Sequence, residues 1–231
     1  MINDLINIRN AVPADVDFLA ETIINAEKSN TEKLSYSTIF EISEKKVKEI
    51  LKTILLSDIP GQELCLSSFL VAEIDGEQAG ACAAWIEGES GLSSSIIKSN
   101  VIYNFFPAEN IKKAQEKSYL LKELSLKRKA GTLQLESAWV KEKYKGKGIC
   151  NKIMLKHISN YSEKNPELKK AQIIMVKAND MALKAHKKLG FKLVSEIKSN
   201  DKRILDIFPS DTMILIETDI EQCKNIFKFT E

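Results

Sequence analysis

The segment from Leu133 to Lys156, LQLESAWVKEKYKGKGICNKIMLK, constrains the fold more than any other part of this chain. Its first part is rich in apolar residues at the spacing of a β-strand, and its last part repeats apolar residues at a helical spacing. Two glycines, Gly146 and Gly148, lie between the two patterns. The segment therefore predicts a strand, a tight basic turn and a helix.

A turn of this kind is suited to binding phosphate groups. The first amides of a helix have no intrahelical acceptor, and the helix dipole adds positive potential at that end. Glycine lets the main chain approach an anion because no Cβ stands between them. Lys145 and Lys147 add positive charge beside the glycines. The turn thus predicts a phosphate or diphosphate site, although glycines at such a junction can also serve turn geometry alone.

Composition excludes several classes of protein. The chain has 231 residues, enough to bury a core, and its formal net charge of +2 argues against a nucleic-acid binder that works through bulk charge. No apolar run is long enough to span a membrane, and Met1 to Asn7 lacks a signal-peptide pattern, so we expect a cytoplasmic protein. The four cysteines lack C-x-x-C spacing, which predicts neither a metal site nor a disulfide framework.

The remaining hydrophobic pattern predicts one domain over residues 1–231 with about seven strands and four or more helices. Pro13 should begin the first helix, and Ser43 should cap the second. A hairpin is predicted around Gly76, and Asn179 is a candidate cap for a later helix.

The segment 87–131 is too long to be a simple connection between neighbouring strands. The serines at 93–95 and the stretch 104–109 are typical of breaks, while Pro107 could start a helix. The many charges between Lys112 and Lys129 are most simply a solvated helix face. We therefore expect a helical insertion here.

Three motifs together resemble the GNAT superfamily of N-acetyltransferases. The run from Val140 to Ile149 resembles the acyl-CoA loop of that family, the run from Asn179 to Phe191 resembles its second landmark, and Ile8 to Asp15 is similar to its common start. The motifs lie in the family's order. The resemblance implies an α+β fold with three αβα layers, a mixed and mostly antiparallel sheet of about seven strands, and the helical insertion between the third and fourth strands. It also implies acetyl-CoA as acyl donor and no metal.

The chain departs from the family pattern at several positions. Lys145 stands where the family prefers Arg or Gln, Cys150 where it prefers Gly or Ala, and Glu142 replaces a frequent Pro. None of these changes removes a main-chain donor, since only proline would do so. His186 occupies the position where many members carry a Tyr credited with protonating the departing thiolate.

By resemblance, the cofactor contacts the end of the strand, the turn, the start of the next helix and a later helix cap. These positions are Ala138, Trp139, Val140, Lys145, Gly146, Lys147, Gly148, Ile149, Cys150 and Asn179. The main chain near Val140 would follow the pantetheine arm, and Asn179 would hold the pantetheine amides. A main-chain amide between Ala138 and Val140 is our candidate donor to the developing oxyanion.

Two side chains are candidates for proton transfer. An amine attacks a thioester only when it is unprotonated, and Glu136 is the candidate base, since strict alternation places it on the strand face of Val140. Glu136 could instead pair with a lysine across the sheet. His186 could protonate the sulfur if its pKa lies near the working pH, as that of unperturbed imidazole at about 6.5 nearly does. A hydrogen-bonded core histidine is an equal alternative at this position.

Two further residues are interpreted as structural. His157 is expected on a helix surface. Cys150 lies at a helix start that could lower a thiol pKa, but a small packing residue explains it better than a nucleophile does.

The leading hypothesis is an enzyme that moves an acetyl group from acetyl-CoA to a primary amine of a small molecule or peptide, by direct attack on the thioester. No nucleic-acid or membrane partner is expected, and a homodimer is compatible with the sequence. The insertion 87–131 is expected to lie near the acceptor end of the cleft. One alternative is a CoA-binding module that has lost its chemistry. Another is a nucleotide-phosphate binder, which the absence of a G-x-x-x-x-G-K-[ST] motif disfavours.

Overall fold

The computed structural model describes residues 6–228, with side chains described as far as Ile226. Seven strands form one sheet in the order β1-β2-β3-β4-β5-β7-β6. Their bounds are β1 Ile6–Asn10, β2 Phe69–Ile74, β3 Glu77–Ile86, β4 Leu133–Val140, β5 Lys170–Val176, β6 Lys192–Lys198 and β7 Thr212–Asp219. Each neighbouring pair is antiparallel except β4 and β5, which are parallel. The predicted mixed, mostly antiparallel sheet is confirmed.

Helices cover both faces of this sheet. Their bounds are α1 Val16–Lys28, α2 Ser35–Phe40, α3 Glu44–Ser57, α4 Ser94–Phe105, α5 Ala108–Glu116, α6 Ser118–Glu123, α7 Ile149–Lys164, α8 Asp180–Lys188, α9 Ile204–Ile207 and α10 Ile220–Lys228. One core packs α1 to α6 and α9 against one face of the sheet. A second core packs α7 and α10 against the other face. The three αβα layers are therefore confirmed, and no helix within residues 6–228 is long and apolar enough to cross a membrane.

Local capping chemistry sets several helix ends where the sequence predicts them. The Ser43 hydroxyl accepts from the Lys46 amide at 3.3 Å at the start of α3, and the Asn179 side chain accepts from the Ala182 amide at 3.2 Å at the start of α8. Pro13 begins a short 3₁₀ turn that leads into α1. These caps confirm the corresponding predictions.

Several helices differ from the sequence prediction. The helices α2, α9 and α10 were not predicted, and the serines at 93–95 were interpreted as a break, although Ser93 is the N-cap of α4. Serine is typical of both loops and helix starts because its hydroxyl can bond nearby main-chain groups, so the same residues fit either structure.

A β-bulge interrupts β4. Cys82 of β3 lies opposite both Ser137 and Ala138, where the register with β4 shifts by one residue. Ser137 has φ of 49°, in the left-handed region. A bulge of this kind reverses the alternation of side chains beyond it.

Because of the bulge, Glu136 lies on a different face of β4 from the one predicted. Before it, Leu135 points into the α7 core, so Glu136 points to the opposite face. After it, Val140 points into the α7 core and Trp139 packs against the α1 core. Glu136 therefore shares a face with Trp139. Strict alternation had predicted that it shares a face with Val140, and that prediction is wrong.

The two parallel strands separate soon after they begin. Pairing between β4 and β5 covers only Leu133 with Ala171 and Gln134 with Gln172. Beyond that point β5 remains paired with β7 along its whole length, while β4 stays with β3. The sheet therefore opens between β4 and β5 from Glu136 onward.

Main-chain hydrogen bonds join the two ends of the insertion between β3 and β4. The Glu87 amide donates to the Thr132 carbonyl at 3.0 Å, and the Gly131 amide donates to the Glu87 carbonyl at 2.9 Å. Its helix α5 packs against α2, and the ring centroids of Phe40 and Phe106 are 4.2 Å apart. The insertion is thus helical, as predicted, and is attached to the same face of the sheet as Glu136.

Candidate active site

The glycine turn is open on its outer side. Gly146 has φ of 80°, and Gly148, the N-cap of α7, has φ of 74°. A Cβ built at either residue would meet no atom within 4 Å. The Lys152 amide makes the first helical bond of α7, to the Gly148 carbonyl at 3.1 Å. The amides of Ile149 and Cys150 therefore precede the helical ladder and can donate to a bound anion.

A cleft of about 460 Å³, which we call the turn cleft, extends from this turn to α8. All but one of the residues predicted to contact a cofactor line it, namely Ala138, Trp139, Val140, Lys145, Gly146, Gly148, Ile149, Cys150 and Asn179. The exception is Lys147, whose ammonium lies 5.6 Å from the centre of the Tyr144 ring. The structure thus brings these predicted residues together along one groove.

A second cavity of about 290 Å³, which we call the inner cavity, lies where β4 and β5 separate. Glu136 and Ser137 line one side and residues 173–176 of β5 line the other. Ala138, Asn179 and His186 line both this cavity and the turn cleft. The two spaces are therefore neighbouring parts of one opening through the sheet.

Glu136 spans the gap between the separated strands. Its Oε1 accepts from Arg128 Nη2 at 2.7 Å and from the Ile174 amide of β5 at 3.2 Å. Its Oε2 accepts no hydrogen bond from the part of the chain that the structure describes. Burial raises the pKa of Glu136, while the nearby Arg128 opposes the increase. The partner is therefore an arginine of the insertion and not a lysine across the sheet.

Arg128 was not identified from the sequence. It lies among the charges that were interpreted as a solvated face, yet only 18% of its side chain is exposed and its guanidinium lies 5.5 Å from the centre of the Trp85 ring. Lys117, in the same stretch, donates to the Thr38 carbonyl at 2.8 Å. The closure of the insertion brings Arg128 to Glu136, and no local sequence signal indicates that closure.

His186 lies at the junction of the two spaces. It is 5% exposed, and its Nδ1 is buried without a hydrogen-bond partner among the described residues. Burial lowers its pKa to about 4. A pKa near the working pH was the condition for the predicted acid role, and the buried ring does not meet it at neutral pH.

Asn179 already makes three hydrogen bonds. Its Oδ1 accepts from the Ala182 amide and from Asn30 Nδ2, both at 3.2 Å, and its Nδ2 donates to the Ser29 hydroxyl at 2.8 Å. These bonds join the start of α8 to the end of α1. A bound pantetheine amide would have to exchange with the bonds to Ser29 and Asn30, while the bond to Ala182 keeps the helix cap.

His157 and Cys150 are both structural in this conformation. His157 is 3% exposed, and its Nε2 lies 2.9 Å from the Cys82 carbonyl oxygen, so the prediction of a surface position is wrong. The helical period contained the signal, because His157 lies four residues after the buried Ile153. Burial raises the pKa of Cys150 to about 11, which disfavours a thiolate nucleophile.

No group of three or more His, Cys, Asp or Glu side chains within residues 6–228 could hold a metal ion.

Comparison with known proteins identifies the class. The model of the Acetyltransferase (GNAT) family matches residues 41–191, which is more than half of the chain. The chain therefore belongs to the GNAT family and is an acyl-CoA-dependent acetyltransferase. The resemblance drawn from the sequence motifs is confirmed, and the nucleotide-binder hypothesis receives no support.

Solved structures share the fold at low identity. An N-acetyltransferase from Staphylococcus aureus Mu50 is 18% identical, with 92% of this chain and 100% of that chain covered and a TM-score of 0.64. The ribosomal-protein-alanine N-acetyltransferase from Brucella melitensis is 16% identical over 92% and 99% of the two chains, with a TM-score of 0.51. The ribosomal-protein-S18-alanine N-acetyltransferase from Escherichia coli is 11% identical over 94% of each, with a TM-score of 0.50. Comparison with curated proteins gives no significant match.

Proposed function

We propose that this enzyme transfers an acetyl group from acetyl-CoA to a primary amine of a small molecule or peptide by direct attack on the thioester. The observation that carries the proposal is the opening between β4 and β5. It begins beside Glu136, continues into the turn cleft and ends at the glycine turn. A candidate base and a candidate phosphate site therefore lie at opposite ends of one passage.

The turn fits the diphosphate of coenzyme A. Space is open above Gly146 and Gly148, and the amides that start α7 can donate to phosphate oxygens. Main-chain groups of Ala138 to Val140 have no pairing partner on β5, so they can bond the amides of the pantetheine arm. When bound, acetyl-CoA supplies the acetyl group in activated form as a thioester.

Glu136 has the geometry of a base. Its Oε1 is fixed by Arg128 and the Ile174 amide, and its Oε2 can accept a proton from the attacking ammonium, directly or through one water. The N–C bond then forms as the C–S bond breaks, and the electron pair of the C–S bond leaves with the sulfur. The second proton that the nitrogen loses passes to this sulfur, so that CoA leaves as a thiol. A main-chain amide between Ala138 and Val140 donates to the oxygen on which negative charge develops.

The acid role of His186 stays a prediction that one variant can decide. With a pKa of about 4, the ring carries a proton in roughly one molecule in a thousand at pH 7. We therefore expect His186→Phe to keep kcat within about threefold of the wild-type value. A loss of about a hundredfold, together with loss of the alkaline limb of the pH profile, would establish His186 as the acid.

The proposed function is tested first by ligand binding. Thermal shift of the purified chain with CoA, desulfo-CoA and ATP ranks the ligands. Stabilisation by CoA at about 100 times its Kd should reach about 2.7 kcal/mol. A preference for ATP over both coenzymes would contradict the proposal.

The second test is transfer itself. Release of the CoA thiol from acetyl-CoA is followed with a panel of amines. The panel includes a peptide with an N-terminal alanine, because two structurally similar enzymes are named for ribosomal-protein alanine. Acetylation of at least one primary amine is the expected result. CoA binding without transfer to any amine would show that the passage binds the cofactor without the chemistry.

A further inference from the structure

Three carboxylates meet at the inner cavity. Glu27 at the end of α1, Glu63 before β2 and Glu136 on β4 all line it, together with the cationic groups of Lys98 and Arg128. Each cation neutralises one carboxylate, since Lys98 pairs with Glu63 and Arg128 pairs with Glu136. The lining therefore carries one negative charge in excess, which favours a cationic guest.

Each of the three carboxylates is held by only one of its oxygens. Oε1 of Glu136 accepts from Arg128, Oε1 of Glu63 accepts from the Lys98 ammonium, and Oε1 of Glu27 accepts from the Ser35 hydroxyl. The Oε2 atoms of Glu27 and Glu136 accept no hydrogen bond among the described residues, and the Glu63 carboxylate accepts in addition only from its own main-chain amide. None of the three Oε2 atoms is among the buried polar atoms that lack a partner. These oxygens are therefore accessible and have capacity to accept N–H donors.

The cavity is small. Its volume of about 290 Å³ lies at the lower limit of small-molecule sites, which is about 300 Å³. Tyr36 of α2, 5% exposed, and Lys98 of α4 are also part of its lining. A short flexible molecule fits this space better than a folded polypeptide segment does.

The same groups discriminate against acidic acceptors. The carboxylate of an amino acid would lie beside Glu27 and Glu63 at a cost in like-charge repulsion. Arg128 offsets that cost only in part, because its charge is already paired with Glu136 through Nη2, while its Nε is buried and has no hydrogen-bond partner among the described residues. Two separated carboxylate oxygens beyond the base instead match a second ammonium group on the acceptor.

We propose, as an inference that rests on the acetyl-transfer function proposed above, that the acceptor is a short aliphatic diamine or polyamine. One amino group reacts beside Glu136, and a second, charged amino group binds the Oε2 atoms of Glu27 and Glu63. The second group fixes the distance from the reacting nitrogen to the thioester, so it determines specificity without taking part in bond making.

The test compares three acceptors that share a four-carbon chain. Thiol release from acetyl-CoA is measured with 1,4-diaminobutane, with butylamine, which lacks the second amine, and with 4-aminobutyrate, which replaces it with a carboxylate. We expect kcat/KM for 1,4-diaminobutane to exceed that for butylamine by about tenfold, as expected for a hydrogen bond between charged groups, and 4-aminobutyrate to be the poorest. An alanine-terminated peptide is the fourth acceptor.

Two variants test whether Glu27 causes the preference for 1,4-diaminobutane over butylamine. Glu27→Gln should reduce the preference for 1,4-diaminobutane over butylamine at least fivefold, and should weaken the thermal shift produced by 1,4-diaminobutane alone. Glu32→Gln is the matched control, because the Glu32 side chain is fully exposed and outside the cavity lining. It should change neither measurement. Melting temperatures of both variants verify that they are folded.

The outcomes separate this inference from the function on which it rests. Equal kcat/KM for butylamine and 1,4-diaminobutane, or a preference for 4-aminobutyrate or the peptide, would overturn the diamine assignment while acetyl transfer stands. An unchanged preference in folded Glu27→Gln would also overturn it. Failure of CoA to bind, or of every amine to release thiol, would instead overturn the acetyl-transfer proposal itself.

Discussion

Glu136 combines an anchored oxygen with an accessible one. Arg128 and the Ile174 amide fix Oε1, so Oε2 keeps a defined position at the head of the opening between β4 and β5. Burial raises the pKa of this carboxyl, which makes its anion a stronger proton acceptor. The sequence indicated Glu136 as a candidate base from its place on the strand before the turn, but it indicated neither its partner nor its correct face.

Glu136→Gln tests the base at this scale. The amide preserves the shape of the side chain but cannot accept a proton, so we expect kcat to fall by about 10² to 10⁴. CoA affinity should stay unchanged, because the turn cleft does not include Glu136. Steady-state kinetics across pH 5.5 to 9 measure the effect. A folded variant with wild-type rates would show that Glu136 only pairs with Arg128 and is not the base.

At the scale of elements, the caps and the glycine turn were predictable because their chemistry is local. Ser43 and Asn179 carry hydroxyl and amide oxygens that bond the first helical amides, whatever the rest of the chain does. The bulge at Ser137 was not predictable, because its left-handed φ depends on the register with β3. The contact between Arg128 and Glu136 was equally unpredictable from the sequence, since it depends on how the insertion closes.

Arg128→Met tests whether the insertion positions and tunes the base. Arg128 holds the pKa of Glu136 down, so its removal should raise that pKa further. The proposed base has to be deprotonated to act, so the acid limb of kcat/KM should move to higher pH. Activity lost at pH 6 should recover at pH 9, whereas Glu136→Gln should not recover at any pH.

The free energy of unfolding of Arg128→Met and Glu136→Gln is the control for this comparison. Removing one member of a buried ion pair is expected to destabilise the fold by a few kcal/mol in either variant. A uniform loss of rate at all pH values in Arg128→Met, without displacement of the acid limb, would contradict the positioning role.

At the scale of the whole molecule, two cores on opposite faces of the sheet each bury a titratable or charged group. His157 lies in the layer between α7 and β3, and burial lowers its pKa to about 4. Its unfolded pKa is about 6.5. Below pH 6.5 the unfolded chain therefore gains a proton that the folded chain does not bind until about pH 4.

Stability should consequently fall as the pH decreases from 7 to 4, by about 3 kcal/mol for His157 alone. Urea unfolding at pH 7, 5.5 and 4.5 measures this loss. His157→Gln retains an N–H donor for the Cys82 carbonyl but does not titrate, so its stability should depend less on pH. Parallel pH dependence in the variant and the wild type would contradict the account.

The placement of the coenzyme A diphosphate on the glycine turn is the central claim, and a pair of alanine variants tests it directly. Gly148 and Gly76 both have positive φ, 74° and 76°, and a Cβ at either would meet nothing within 4 Å. Gly148→Ala and Gly76→Ala should therefore impose similar backbone strain, about 1 kcal/mol. Only the Cβ at 148 would lie where phosphate approaches.

Calorimetric titration with CoA is the deciding measurement. The account predicts that Kd increases at least tenfold in Gly148→Ala and stays within about twofold of wild type in Gly76→Ala. Equal CoA affinity in the wild type and folded Gly148→Ala would contradict binding of the diphosphate at this turn.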